Sequence, residues 1–293
     1  MKSRLLKFIL PFAFLGPVLV TSCGVPGDIK SDLNGEELKT FLNEKLKTNK
    51  FIAYKEAPSR FIEADAVPGK DNTIYLMYTG EEFDLNQAPI SVWSSTLNVE
   101  HVWCQSRFRP YSLSPGKNDY DSIKEPTPYS DLYNLRPCNG AVNEARLNYN
   151  FGENPDVANM VFSPFDPKYI PSEFFVESEI ADDDGNHDVL IYVGKEGDET
   201  YRGEIARILF YVATRYDKIS LTELGSGNDE IGHLDELLAW NLMYPPTERE
   251  LRRNDAIYKI QGNRNVFVDH PDYACRIWQN TSDKTKAACS ITK

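Results

Sequence analysis

Leu97-Asn98-Val99-Glu100-His101-Val102-Trp103 is followed by Asp131-Leu132-Tyr133-Asn134-Leu135-Arg136-Pro137 and then by Gly140-Ala141-Val142-Asn143-Glu144-Ala145-Arg146. The first two runs have strand composition, and Asn139-Gly140 turns the chain into a helix-compatible run that continues to Asn148, with Asn139 as its cap. Together they predict two strands leading into a helix. They also bring together an imidazole, a carboxylate beside it and a second oxygen donor, Asn143, on the helix.

Those groups match the needs of phosphodiester hydrolysis. The reaction requires a nucleophile made from water, positive charge for the phosphoryl oxygens and a proton for the leaving oxygen. An imidazole is neutral often enough near pH 7 to act as the base. The chain has four histidines, His101, His187, His233 and His270, and only His101 sits in an apolar strand-like run next to an acid. Glu100 and Asn143 offer hard oxygens suited to Mg²⁺, which binds few protein ligands and keeps several waters. Neighbouring side chains on a regular strand face opposite ways, so Glu100 and His101 serve one site only if the strand bends there or is approached at its edge.

Elsewhere the pattern is mixed. Residues 73–78 are β-rich and residues 131–135 read as a strand. Helical spacing appears at residues 35–46, at residues 201–216 through Ile205, Ile208, Leu209, Val212 and Tyr216, and at residues 234–240, which Pro245-Pro246 terminates. Thr247-x-x-Glu250 opens a further basic helix in a capping-box pattern. The fold class predicted is α+β, in one large domain at residues 35–293. Asp182-Asp183-Asp184-Gly185 lacks the alternating ligands of a calcium loop and reads as a solvated turn. The tryptophans read as core.

The start of the chain addresses the location. Met1 to Lys7 is basic, and residues 8–20 are apolar but too short to span a bilayer comfortably. The stretch ends in Val20-Thr21-Ser22-Cys23-Gly24, which resembles a bacterial lipobox. Residues 1–22 are therefore predicted to be a lipoprotein signal peptide and residues 23–34 a polar tether, with Cys23 lipidated. The protein would be a membrane-anchored lipoprotein on the extracytoplasmic face or surface of a bacterium, its only membrane contact the N-terminal lipid, and otherwise a monomer. Cys104, Cys138, Cys275 and Cys289 form an even set in an oxidising compartment, open to three pairings. Cys104 with Cys138 would link the two strands, and Cys275 with Cys289 would close the C-terminal loop. No Cys-x-x-Cys pair argues for zinc.

The net charge of −12 argues at first against a nucleic-acid partner. Its distribution changes the reading. Residues 151–200 hold thirteen acids against Lys168 and Lys195, whereas residues 100–150 balance six acids with six basic residues. A locally positive cleft is compatible with that balance.

The ordered motifs resemble the endonuclease I nucleases of the His-Me finger (ββα-metal) superfamily. The family pattern Glu-His-Val is matched by Glu100-His101-Val102, its Asp-Leu-His-Asn-Leu-x-Pro by residues 131–137, and its Gly-x-Val-Asn-x-x-Arg-x-Asn by residues 140–148. Tyr78-Thr79-Gly80, Arg202-Gly203-Glu204-Ile205-Ala206-Arg207 and Gln261-Gly262-Asn263-Arg264-Asn265-Val266-Phe267-Val268 extend the likeness over roughly residues 35–270. It departs at Tyr133, where the family has histidine, and at Cys104, where proline is common. The resemblance implies a ββα-metal motif surrounded by helices, with His101 as general base and one Mg²⁺ (or Mn²⁺ or Ca²⁺) held by Glu100 and Asn143. It further implies cleavage of DNA, and often RNA, with little sequence preference and a 5′-phosphate product. An arginine that neutralises the cleaved phosphate is also implied, and Arg107, Arg109 and Lys117 compete for that role. Arg146 either holds phosphate or braces the fold. The competing reading is a non-catalytic surface lipoprotein that binds nucleic acid, which would be expected to have lost His101, Glu100 or Asn143.

Overall fold

Strands β3 (Leu97–His101) and β4 (Leu135–Asn139) pair antiparallel, with Glu100 opposite Arg136 and His101 opposite Leu135. Helix α3 (Gly140–Arg146) follows β4 without a break and packs on both strands. Asn139 turns the corner, its Oδ1 accepting from the backbone N–H groups of Ala141 (3.0 Å) and Val142 (3.4 Å). Those are N–H groups a helix start leaves without an intrahelical partner.

The computed structural model describes residues 32–90, 96–107, 111, 124–146, 151, 175–181, 187–191, 200–221 and 231–291. The leader and Cys23, Trp93, Arg109, Lys117, Asn148 and the Asp182–Asp184 run lie outside them. In chain order the remaining elements are α1 (Gly35–Leu46), α2 (Ala57–Ala64), β1 (Thr73–Tyr75), β2 (Glu82–Asp84), β5 (Phe175–Ala181), β6 (His187–Ile191), α4 (Thr200–Arg215), α5 (Leu234–Met243), α6 (Glu248–Gln261), α7 (Val266–Asp269), α8 (Asp272–Trp278) and α9 (Asp283–Ala288). β1 pairs antiparallel with β2, and β5 with β6. The described elements are helices and small antiparallel sheets, an α+β arrangement. Residues from Asn34 onward cluster as one compact unit. No helix among the described residues is long and apolar enough to cross a membrane.

Helix α4 is the spine. The apolar spacing in this segment predicts one buried stripe, yet every residue from Gly203 to Thr214 is buried, because α1, α5 and α7 pack around it. Glu204 and Arg207 on it are therefore internal. Arg207 forms a bidentate pair with Glu250, with both N–O distances 2.6 Å, and donates to the Tyr244 carbonyl at 2.9 Å. Glu204 contacts Arg136, which also approaches Asp65, and Asp65 in turn accepts from Arg253. Burial pushes the Glu204 carboxyl up, but Arg136 and Arg249 outweigh it and hold the group well below the usual carboxylate range. Thr247 caps α6 as its sequence predicts, its side chain accepting from Glu250 N–H at 3.2 Å. The Glu250 carboxylate is engaged by Arg207 instead of completing the box.

Residues 131–134, expected as the start of a strand, form a turn instead. Asp131 is saturated by remote partners: Oδ2 accepts from the hydroxyls of Tyr211 (2.8 Å) and Tyr216 (2.7 Å), and Oδ1 from Gln261 Nε2 (2.9 Å) and Tyr133 N–H (2.9 Å). These bonds curl the chain before the ladder begins at Leu135. Tyr133, which stands where histidine was expected, is buried and its hydroxyl contacts Asn254 Oδ1 at 2.6 Å.

The cysteines also resolve. Cys275 and Cys289 are bonded across the C-terminal loop. Cys104 and Cys138 are buried free thiols, so the alternative that would link the two strands is not realised. The register explains it: Cys138 faces Asn98 inside the ladder, whereas Cys104 lies beyond the end of β3 and its sulfur sits 3.7 Å from Ser106 Oγ.

Gly203 packs α4 against the end of α5, where an added Cβ would lie 2.0 Å from the Tyr244 carbonyl oxygen. In an open helix Gly→Ala stabilises by up to about 1 kcal/mol. Here Gly203→Ala should instead cost about 1–3 kcal/mol through overpacking. Urea denaturation of the two proteins checks this; an unchanged or raised midpoint would show that the contact yields.

Candidate catalytic site at the end of β3

His101 is the last residue of the ladder. The chain bends at Val102 and Trp103, and three bonds hold the bend: Val102 N–H donates to the Asn134 carbonyl (3.0 Å), Trp103 N–H to Asn134 Oδ1 (2.7 Å), and Asn134 Nδ2 to the Trp103 carbonyl (3.1 Å). The bend therefore follows directly on His101, while Glu100 and His101 themselves stay in the ladder opposite Arg136 and Leu135. Asn134 Nδ2 also donates to the Pro128 carbonyl at 2.9 Å, which ties in the turn that carries Tyr129.

Tyr129 offers its backbone carbonyl to His101 Nε2 at 3.0 Å. A carbonyl can only accept, so Nε2 carries the proton and the neutral ring has its lone pair on Nδ1. The imidazole is half-buried and packs on the rings of Tyr54 and Tyr129, with centroids 5.3 Å and 5.2 Å away. Burial lowers its pKa from the ordinary 6.5 to about 4; the Tyr129 bond opposes the shift and the Arg146 cation adds to it. The ring is thus neutral at physiological pH, the form a base needs.

Glu100 is buried, at 3 % exposure. It accepts from the Tyr78 hydroxyl at 2.5 Å and lies 3.6 Å from Arg146 Nε. Burial raises its pKa, against the opposing effects of Arg146, the Tyr78 hydroxyl and the backbone N–H of His101. Asn98, two residues earlier, shares its face of β3 by strand alternation. Asn143, on α3, reaches that same face, its Nδ2 donating to Asn98 Oδ1 at 2.7 Å. With Nδ2 committed there, the amide oxygen is the arm that remains to meet a cation. The oxygen donors at this place are one carboxylate and one amide. Among the described residues no group of three or more His, Cys, Asp or Glu is arranged to hold a metal ion.

Arg146 is fully buried. Its Nη2 donates to the Val102 carbonyl (2.7 Å), its Nη1 to that of His101 (3.4 Å), and its guanidinium lies 4.6 Å from the centre of the Phe151 ring. It fastens α3 to the end of β3. Arg107 is also buried, and its carbonyl accepts from the Trp103 indole N–H at 3.3 Å. Arg109 and Lys117 fall outside the described residues.

The structure therefore gathers His101, Glu100, Asn143 and Arg146 around one strand end. It adds Tyr54, Tyr78, Tyr129 and Asn98, which sequence reasoning did not single out as site residues. Asn98 carried a usable signal, a polar residue at the alternate position before Glu100. Tyr54 and Tyr129 carried none, since both reach the site from distant segments.

A family model described as Endonuclease I matches residues 34–272. The chain is 31 % identical over 257 residues to an extracellular ribonuclease of Bacillus subtilis, covering 83 % of this chain and 75 % of that protein. It is 30 % identical over 261 residues to an extracellular ribonuclease of Bacillus amyloliquefaciens, covering 85 % and 76 %. An Endonuclease-1 of Buchnera aphidicola is 30 % identical over 140 residues, 47 % of this chain and 44 % of that protein.

The geometry of His101 sets a titration. In protein stripped of divalent cations, its ring should protonate near pH 4 by NMR rather than at the ordinary 6.5. The unfolded chain takes up that proton at the higher pH, so the residue's contribution to stability is intact above 6.5 and is lost as pH falls toward 4. A midpoint at or above the ordinary value would contradict the buried, Tyr129-bonded ring.

Proposed function

The chain belongs to the endonuclease I family and is a hydrolytic nuclease; from that premise we propose that it is a metal-dependent, largely sequence-nonspecific endonuclease cutting DNA and RNA. In this reading His101 is the general base, and Glu100 and Asn143 hold one Mg²⁺, with Mn²⁺ or Ca²⁺ as alternatives. β3, β4 and α3 form the ββα-metal motif. The observation that carries the reading is the bond from His101 Nε2 to the Tyr129 carbonyl, which leaves Nδ1 as the basic atom.

The chemistry follows from the residues. His101 Nδ1 takes a proton from water as the water oxygen bonds to phosphorus, the bond from phosphorus to the 3′ oxygen breaks, and that oxygen takes a proton from a second water, leaving a 5′-phosphate and a 3′-hydroxyl. A divalent cation at such a site supplies positive charge to the phosphoryl and leaving oxygens. Glu100 and Asn143 suit it because their two hard oxygens are fixed from one strand face and the adjoining helix, leaving the remaining positions to water. Arg146 braces this arrangement. The scissile phosphate is then left to Arg107, Arg109 or Lys117.

The leader and the printed names of the two Bacillus relatives, both extracellular ribonucleases, support action outside the cytoplasm. We place the mature protein, beginning at Cys23, on the extracytoplasmic face or surface of the bacterium through an N-terminal lipid, with residues 23–34 as tether and residues 35–293 as a monomeric nuclease domain.

Cleavage of plasmid DNA and of RNA should require Mg²⁺ and stop on adding EDTA. Glu100→Gln and Asn143→Ala should each raise the Mg²⁺ concentration for half-maximal cleavage, and the double variant should cost less than the sum, since both act on one ion. Cleavage that survives EDTA, or strictly additive losses, would refute a shared ion.

A further inference from the structure

Tyr78 is a bulky residue in a backbone conformation that such residues seldom adopt, with φ +70°. The turn around it is held tightly. Met77 N–H donates to the Pro137 carbonyl of β4 (2.8 Å), Thr79 N–H to Met77 (2.9 Å) and Gly80 N–H to Leu76 (3.1 Å). The side chain is wholly buried, and its hydroxyl ends on Glu100 Oε1.

Arg146 Nε approaches that same oxygen. Two partners from separate segments, a turn bonded to β4 and the last residue of α3, thus converge on Oε1. We propose that Tyr78 is a positioning residue for the cation site: its hydroxyl fixes the rotation of the Glu100 carboxylate so that Oε2 is presented to the cation. This rests on the reading of Glu100 as a metal ligand. The unusual backbone at residue 78 supports it, because a phenol held only as core filling needs no such conformation, whereas a hydroxyl that must meet one carboxylate oxygen is placed by it. Partners that orient a metal ligand typically govern affinity roughly ten- to a hundredfold when removed.

The test is calorimetric titration of Mn²⁺ alone, without substrate, into wild type, Tyr78→Phe and Glu100→Gln, with thermal melts to establish folding. Tyr78→Phe keeps the ring and should bind Mn²⁺ about ten- to a hundredfold more weakly. Wild-type affinity in Tyr78→Phe together with lost affinity in Glu100→Gln would overturn the role of Tyr78 while sparing the metal site. Unchanged affinity in both would overturn the metal assignment and this proposal with it. A measurement without substitution at residue 78 guards against a misfolded variant. With tyrosine labelled at Cζ, Mg²⁺ should shift one resonance saturably in wild type and none in Glu100→Gln; no shift in wild type overturns the proposal.

Discussion

A carboxylate buried at the end of a strand is the constraint on which the site depends. An ionised group taken out of water costs several kcal/mol unless neighbours compensate it. Glu100 meets that demand through the Tyr78 hydroxyl and the Arg146 guanidinium, which themselves have to be buried and held. Arg146 can reach Glu100 only because α3 follows β4 at once, and its remaining donors close on the carbonyls of His101 and Val102. The compensation of one charge thereby also fixes the strand end that carries His101. Burial still dominates over these partners and raises the Glu100 pKa.

His101 is positioned by a separate set of contacts that meets the first at β3. Asn134 links the bend after the strand to the Pro128 carbonyl, and the adjoining Tyr129 carbonyl sets the tautomer of the ring. Asp131 anchors this turn to α4, the residue after it and Gln261 at the end of α6. The turn between the strands is therefore not a passive connection. Asp131, which bonds core side chains of α4 and α6, lies two residues from Tyr129, the imidazole's partner.

Much of this was legible in the sequence where the information is local. The order strand, strand, helix could be read from residues 97–146, as could the caps at Asn139 and Thr247, because a cap and its N–H partners lie within three residues. Residues 131–134 were misread as a strand for the opposite reason. Their β-like composition is overridden by Asp131 bonds to Tyr211, Tyr216 and Gln261, eighty or more positions away. Helix α4 was recognised as a helix with one apolar stripe but not as one buried all round from Gly203 to Thr214, since nothing local pairs Glu204 with Arg136 or Arg207 with Glu250. Tyr54 and Tyr129 each stack on the His101 ring and touch one another from segments 75 residues apart, a relation with no periodic signature.

The account centres on His101 acting through Nδ1, and turnover of His101→Ala tests it most directly. With Mg²⁺ saturating and substrate in excess, the variant should keep the wild-type melting temperature and bind substrate similarly, while cleaving about 10²- to 10⁴-fold more slowly at neutral pH. A His101→Ala protein that cleaves within about threefold of wild type, far inside the range that loss of a general base removes, would contradict it.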